Sequence, residues 1–398
     1  MPVYLDHAAT TPVFPHVAAA MVEQATRVGN ASSLHTAGRA ARRVVEESRE
    51  RLAAAIGARP SEIVFTSGGT ESDNLAISGV LRARRDADPR RTRLVVSAIE
   101  HHAVLDCVTV LETREGVQVT WLPSDDEGVV HPEVLARALA ADPESVALVS
   151  VMWANNEVGT VQDIAALAAV AHEHGIPMHT DAVQAVGHLP VDVAAAGVEL
   201  LTLGGHKVGG PVGTGALVVK RDVAVVPLVY GGGQERQIRS GTLDTVGILG
   251  LSLAVEYAVQ TRERETARLV ELRDALLQGA LDLDLGIRVG GRWTPGDGAG
   301  RLAGNAHLIV PGCEGDSLLY LLDAAGIECS TGSACQAGVP QPSHVLLAMG
   351  LTERDARGAL RATLGHTSTA ADVEAFVAAL PAAVDRARRA AGTSRGSA

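Results

Sequence analysis

Lys207 lies in Gly204-Gly205-His206-Lys207-Val208-Gly209-Gly210, directly after an apolar run, and only one other lysine, Lys220, is found among the 34 basic residues. A guanidinium cannot form an imine, so any chemistry that needs a side-chain amine falls to one of these two. Lys220, followed by Arg221 and Asp222 at the end of a strand pattern, reads as a solvated turn. The small neighbours of Lys207 leave space for a planar ring to approach the backbone. A second reactive group is the thiol of Cys335, in Glu328-Cys329-Ser330-Thr331-Gly332-Ser333-Ala334-Cys335-Gln336-Ala337-Gly338-Val339-Pro340. Small residues on both sides describe a loop that carries a thiol into and out of a site. The other cysteines read as structural: Cys107 in the helical pattern Ala103 to Leu111, Cys313 in a turn beside Pro311 and Gly312, and Cys329 close to a strand. No CxxC pair or regular spacing suggests a disulfide framework or zinc cage.

Two further segments suit a ring that carries a phosphate. In Phe65-Thr66-Ser67-Gly68-Gly69-Thr70-Glu71-Ser72-Asp73-Asn74 a strand ends in glycines where a helix begins, so free N–H groups and the positive end of the helix dipole converge on one spot. A plain strand-to-helix turn explains the segment equally well. It is no Walker loop, and no GxGxxG is present. In His179-Thr180-Asp181-Ala182-Val183-Gln184, Asp181 follows a buried strand pattern, where a carboxylate can pair with a protonated pyridine nitrogen; a helix N-cap is the competing reading.

The elements that must position these residues are those of an α/β protein. Strand patterns at 63–65, 94–96, 117–119, 146–151, 178–180, 200–202 and 216–219 alternate with helical periodicities at 71–85, 132–140 and 164–174, which predicts a seven-stranded, mostly parallel sheet with right-handed crossovers. A long helix from about Thr245 to Asp282 bridges to a region of shorter, mixed signals. The expected division is a large domain at 15–259, a small α+β domain from 1–14 and 260–390, and a disordered tail at 391–398. Gly290 to Gly304 reads as a surface loop. The formal net charge of −12 argues against nucleic acid or an anionic membrane as direct ligand. With no apolar run near membrane length and no basic-then-apolar leader in Met1 to Thr10, a cytoplasmic protein is expected.

Together these motifs resemble the cysteine desulfurases of the NifS/IscS type, in the class-V aminotransferase family of fold-type I pyridoxal 5'-phosphate (PLP) transferases related to aspartate aminotransferase. The likeness runs from Tyr4-Leu5-Asp6-His7-Ala8-Ala9-Thr10-Thr11-Pro12 through Gly29-Asn30-Ala31-Ser32-Ser33 to Ser343-His344-Val345-Leu346. Ser333-Ala334-Cys335 in a glycine-rich loop is similar to the IscS-type subgroup. The resemblance implies that Lys207 holds the PLP aldehyde, that Asp181 pairs with the ring nitrogen, and that Gln184 and Asn156 hold the phenolate side. His101, in Ile99-Glu100-His101-His102, would stack on the ring and move protons. Gly69, Thr70, Gly204, Gly205 and His206 would line the phosphate cup, joined by Thr242 from the partner subunit of a homodimer. Arg361, in Leu360-Arg361-Ala362-Thr363-Leu364-Gly365, would clamp the carboxylate of L-cysteine, with Asn30 and Arg239 as further substrate contacts. Cys335 would carry sulfur as a persulfide, with His101 and Arg361 as its positive neighbours, and pass it to an iron-sulfur scaffold or a tRNA-thiolating enzyme. No resident metal is implied, although Cys335 could ligate a cluster transiently. Two departures stand out: Gly204 where the family usually has serine, and an end, Arg386 to Ala398, unlike the family's docking tail. A selenocysteine lyase, another PLP β-lyase and a catalytically silent sulfur-relay protein are the competing readings.

Overall fold

The computed structural model describes residues 2–332 and 341–394. In chain order, strand β1 (Val3–Tyr4) precedes helices α1 (Pro15–Ala25) and α2 (Thr36–Ala55). Then strands and helices alternate: β2 (Ile63–Thr66), α3 (Gly69–Ala87), β3 (Arg93–Ser97), α4 (His102–Glu115), β4 (Gln118–Leu122), α5 (Pro132–Ala140), β5 (Val146–Ser150), α6 (Ile164–Glu173), β6 (Met178–Asp181), the short α7 (Val193–Ala196), β7 (Leu200–Gly204) and β8 (Gly215–Val219). The seven strands β2 to β8 form one sheet in the order β2-β8-β7-β6-β5-β3-β4.

That sheet is mostly parallel, as expected, and the exception is β8, which runs antiparallel to both β7 and β2. The connection between Gly204 and Gly215 is too short for a helical crossover, so the chain can only fold back. The sheet is covered on both faces, which explains its continuous apolar runs. Ile63 and Phe65 pack into one hydrophobic cluster and Val64 into another, and Val95 is separated in the same way from Leu94 and Val96. Lys220, expected to be solvated, is instead half-buried. Its ammonium donates to Gly197 O at 3.0 Å and pairs with Glu199 at 3.1 Å.

Helix α8 (Thr245–Leu281) follows, then β9 (Arg288–Val289), β10 (Asn305–Ile309), α9 (Gly315–Asp323), β11 (Ile327–Glu328), α10 (His344–Ala348), α11 (Glu353–Ala356), β12 (Ala359–Thr363) and α12 (Ala370–Ser394). Strands β12, β10 and β9 make a small sheet, and β11 pairs in parallel with β1, so the first residues of the chain join this region. Its core joins Leu276 and Leu277 of α8 with Phe376, Leu380 and Val384 of α12. Residues 391–394 continue α12, although their composition suggested part of an irregular tail; the run of alanine and arginine before them favours helix.

The segment Gly290 to Gly304 is not wholly a surface loop. Arg301 within it is 1% exposed and donates to Gly290 O, Arg292 O, Asn305 O and Asn305 Oδ1 at 2.8 to 3.1 Å. One buried guanidinium therefore staples the glycine-rich turn to β10.

Candidate active site

Open α/β sheets bind ligands beyond the carboxyl ends of their strands. Here β6 ends at Asp181 and β7 at Gly204, next to a cavity of about 400 Å³. Of the residues expected in the site, the cavity is lined by Gly69, Thr70, His101, Asn156, Asp181, Gln184, His206, Lys207 and Arg361.

Lys207 follows β7 on a single helical turn, and its ammonium donates to Ala8 O at 2.7 Å and Ala9 O at 2.8 Å. Burial, aided by the nearby Arg361 charge, lowers its pKa to about 8, which makes the free amine accessible near neutral pH. Asp181 is 6% exposed, and its Oδ1 accepts from Val183 N at 2.8 Å. It thus caps the local turn and faces the cavity together. Burial lifts its pKa to about 6, partly offset by the Val183 hydrogen bond and by Lys207.

Helix α3 begins at Gly69 with no side chain capping its free N–H groups, and Thr70 and His206 stand beside that end. Gly205 belongs to the backbone of this cup: a Cβ there would lie 2.6 Å from Thr214 Oγ1 and 2.8 Å from Pro211 O, so only glycine fits. Gly204 is different, because a Cβ would meet its nearest neighbour, Val183 Cγ1, at an ordinary 3.6 Å. Neither glycine lines the cavity itself.

His101 caps α4, its Nδ1 accepting from Ala103 N at 3.1 Å. Burial, with Lys207 beside it, lowers its pKa to about 4. His101 is therefore neutral and does not supply the positive charge expected near the thiol. Gln184 Nε2 donates to Ala8 O at 3.0 Å. Arg361, on β12 and 4% exposed, donates to Asn156 O and pairs with Asp6 Oδ1, each at 2.8 Å, while its Nε has no partner among the described residues. Asp6 was missed as a site residue, although it stands in the Tyr4 to Pro12 motif.

Asn30 and Arg239 do not line this cavity, and Thr242, expected to come from the partner subunit, is exposed. Asn30 is exposed, and its side chain turns back to accept from Ser32 N at 2.8 Å. Arg239 pairs with Glu71 on the first turn of α3, at 2.9 Å, which uses its charge outside the cavity. Cys335 lies outside the described residues. The segment leading to it is tied to the site: Ser330 and Gly332 line the cavity, and Ser330 exchanges backbone hydrogen bonds with Arg361 at 2.6 and 3.0 Å. Cys329 faces the small core, where burial raises its pKa to about 12, so it is an inert thiol.

An amine of lowered pKa, a buried carboxylate and an uncapped helix end around one cavity match a ring with an aldehyde, a basic nitrogen and a phosphate. The model for the family "Aminotransferase class-V" matches residues 3–376. An "IscS-like cysteine desulfurase" of Mycobacterium tuberculosis is 57% identical over 388 residues, covering 98% of both chains. "Cysteine desulfurase IscS" of Methanosarcina thermophila is 43% identical, covering 97% of this chain and 93% of its own. A solved "NIFS-LIKE PROTEIN" superposes with a TM-score of 0.88 at 33% identity, covering 97% of this chain and all of its own. The chain belongs to the class-V aminotransferase family and has the fold of the PLP-dependent transferases. No helix among the described residues is long and apolar enough to cross a membrane.

Proposed function

We propose that the chain is a PLP-dependent cysteine desulfurase that converts L-cysteine to L-alanine and passes the sulfur on from Cys335. The observation that carries this reading is the meeting of Lys207, Asp181 and Arg361 around one cavity in a chain 57% identical to an IscS-like cysteine desulfurase. PLP, when bound, supplies a ring that takes up the electrons of the bond broken at the substrate Cα.

Asp181 holds the proton of the ring nitrogen, and the N–H groups at the start of α3 with Thr70 and His206 hold the phosphate. Gln184 and Asn156 face the phenolate side, and His101, neutral with Nδ1 accepting from Ala103 N, stacks on the ring and can give up and take back the proton on its Nε2. Arg361 binds the substrate carboxylate through the guanidinium edge that includes its unpartnered Nε. The Nζ of Lys207 leaves Ala8 O and Ala9 O, holds the cofactor, and as a free amine removes the Cα proton. The Cys335 thiolate then bonds to the substrate sulfur as its C–S bond breaks, leaving a persulfide on the protein. The enzyme works as a homodimer in which Thr242 completes the phosphate cup of the other subunit, within an arrangement of domains at 15–259 and at 1–14 with 260–390. The acceptor is an iron-sulfur scaffold or a tRNA-thiolating enzyme.

The test is to incubate PLP-loaded protein with L-cysteine and measure alanine and protein-bound persulfide. Alanine should form with persulfide on Cys335, and Cys335→Ala should keep the cofactor's visible absorption but carry no persulfide. Absence of alanine from a fully loaded protein would refute the proposal, and faster turnover of selenocysteine with little of cysteine would reassign it as a selenocysteine lyase.

A further inference from the structure

A group of buried acids stands behind the cavity. Asp73 on α3 is 1% exposed, Glu100 just after β3 is 0% exposed, and His179 on β6 is fully buried. The ring of His179 is held by two hydroxyls: Nδ1 bonds Ser150 Oγ at 2.9 Å and Nε2 bonds Thr202 Oγ1 at 3.0 Å. Its Nε2 also lies 3.6 Å from Asp73 Oδ1. Glu100 Oε1 accepts from Met152 N at 2.6 Å. Asp73 Oδ1 and Glu100 Oε2 have no hydrogen-bond partner among the described residues, and Asp73 reaches the cavity wall.

The titratable groups facing Asp73 are Asp181 and His179 of β6, Glu100 after β3 and Cys107 of α4. The cation nearby is Lys207, which faces Asp181. Three buried carboxyls therefore share one lysine, and an ionised carboxylate with neither cation nor full hydrogen bonding is far costlier in the interior than a neutral acid. We propose that Asp73 and Glu100 are held as neutral acids, so that the one negative charge of the cluster stays on Asp181 against the ring nitrogen, with Asp73 as the positioning residue. This rests on the reading of Asp181 given above. Desolvation, then repulsion from Asp181, pushes both acids upward, against the hydrogen bonds from Thr202 to Asp73 and from Met152 N to Glu100.

Infrared spectra of the PLP-loaded wild-type enzyme at neutral pH, in H2O and D2O, provide a test that needs no variant. Protonated-carboxyl absorption should be present and shift in D2O; its absence overturns the proposal. Asp73→Asn and Glu100→Gln should each remove part of it, and should leave the midpoint of the pH titration of the visible band in place. A midpoint moved by about one pH unit or more in Asp73→Asn is what loss of a full charge produces, and would show that Asp73 was ionised. Asp73→Ala should loosen PLP about fivefold, with Asp73→Asn restoring it; unaltered PLP affinity in Asp73→Ala would remove the positioning role. Asp181→Asn separates the two ideas. A midpoint unmoved in that variant refutes the role of Asp181 itself, whatever the infrared spectra show.

Discussion

Two regions of the molecule bury ionisable side chains, and they do it in different ways. Along and behind the cavity, Asp73 and Glu100 each keep one carboxyl oxygen without a hydrogen-bond partner among the described residues, and Asp73 and Asp181 line the cavity. Around the smaller core, Arg301 spends its guanidinium on three backbone carbonyls and the Asn305 amide, and Arg273 of α8, 0% exposed, pairs with Asp274 at 2.8 Å and donates to Asp297 O at 2.8 Å. Burial lowers the pKa of Arg301 to about 9, which leaves it charged at neutral pH. The acids of the reactive region keep unpaired acceptor oxygens, whereas Arg301 has a partner on every guanidinium nitrogen; among the described residues, the unpaired groups of its region are Arg273 Nη1 and the ring nitrogens of His307.

Substitutions should separate the two regions. The largest effect is expected from Lys207→Ala, which should lower alanine formation about 10^3-fold or more and abolish the visible absorption of the lysine-bound cofactor. Thermal denaturation of the apoprotein should barely change; a large loss of stability would mean that the reactive region is also structural. Arg301→Leu should behave in the converse manner. It strands the carbonyls of Gly290, Arg292 and Asn305, costs about 3 kcal/mol in denaturant unfolding, and leaves the cofactor spectrum intact. Arg361→Lys should raise KM for cysteine about 30-fold, since an ammonium cannot reproduce the two-pronged contact; an unchanged KM with reduced kcat would move Arg361 from binding to chemistry. The smallest effect concerns pH. The neutral amine of Lys207 is the form that attacks an aldehyde, and its pKa is near 8, so the rate at which apoprotein captures PLP should rise about tenfold from pH 7 to pH 9 and then level off. Stopped-flow absorbance would show this, and a midpoint near 10 would mean that Lys207 is not desolvated.

Much of the fold was legible because it is written in local patterns. Continuous apolar runs such as Val146 to Ser150 mark strands covered on both faces, and the long periodicity after Gly241 marks α8. The reversed direction of β8 was not legible, since a buried strand has the same apolar pattern in either direction; only the shortness of its connection carried the signal. The site divides in the same way. Lys207 and the start of α3 stand out by composition, whereas the pairing of Asp6 with Arg361 joins positions at opposite ends of the chain, and no spacing rule reaches that far. Asp73 and Glu100 were in view within their motifs, but a carboxyl's neutrality depends on what surrounds it in space. The two readings of Asp181 do not exclude each other in space, because its Oδ1 caps a turn while the residue lines the cavity.

Helix α8, with 37 residues, is about 55 Å long. Ile248, Leu251 and Val255 near its start belong to the core beneath the large sheet, and Leu269, Leu276 and Leu277 near its end belong to the other core. A rigid rod shared by two cores is a mechanical coupling: neither can melt without stripping half of the helix's apolar surface from its neighbours. The chain should therefore denature as one cooperative unit, with both cores lost at the same denaturant concentration.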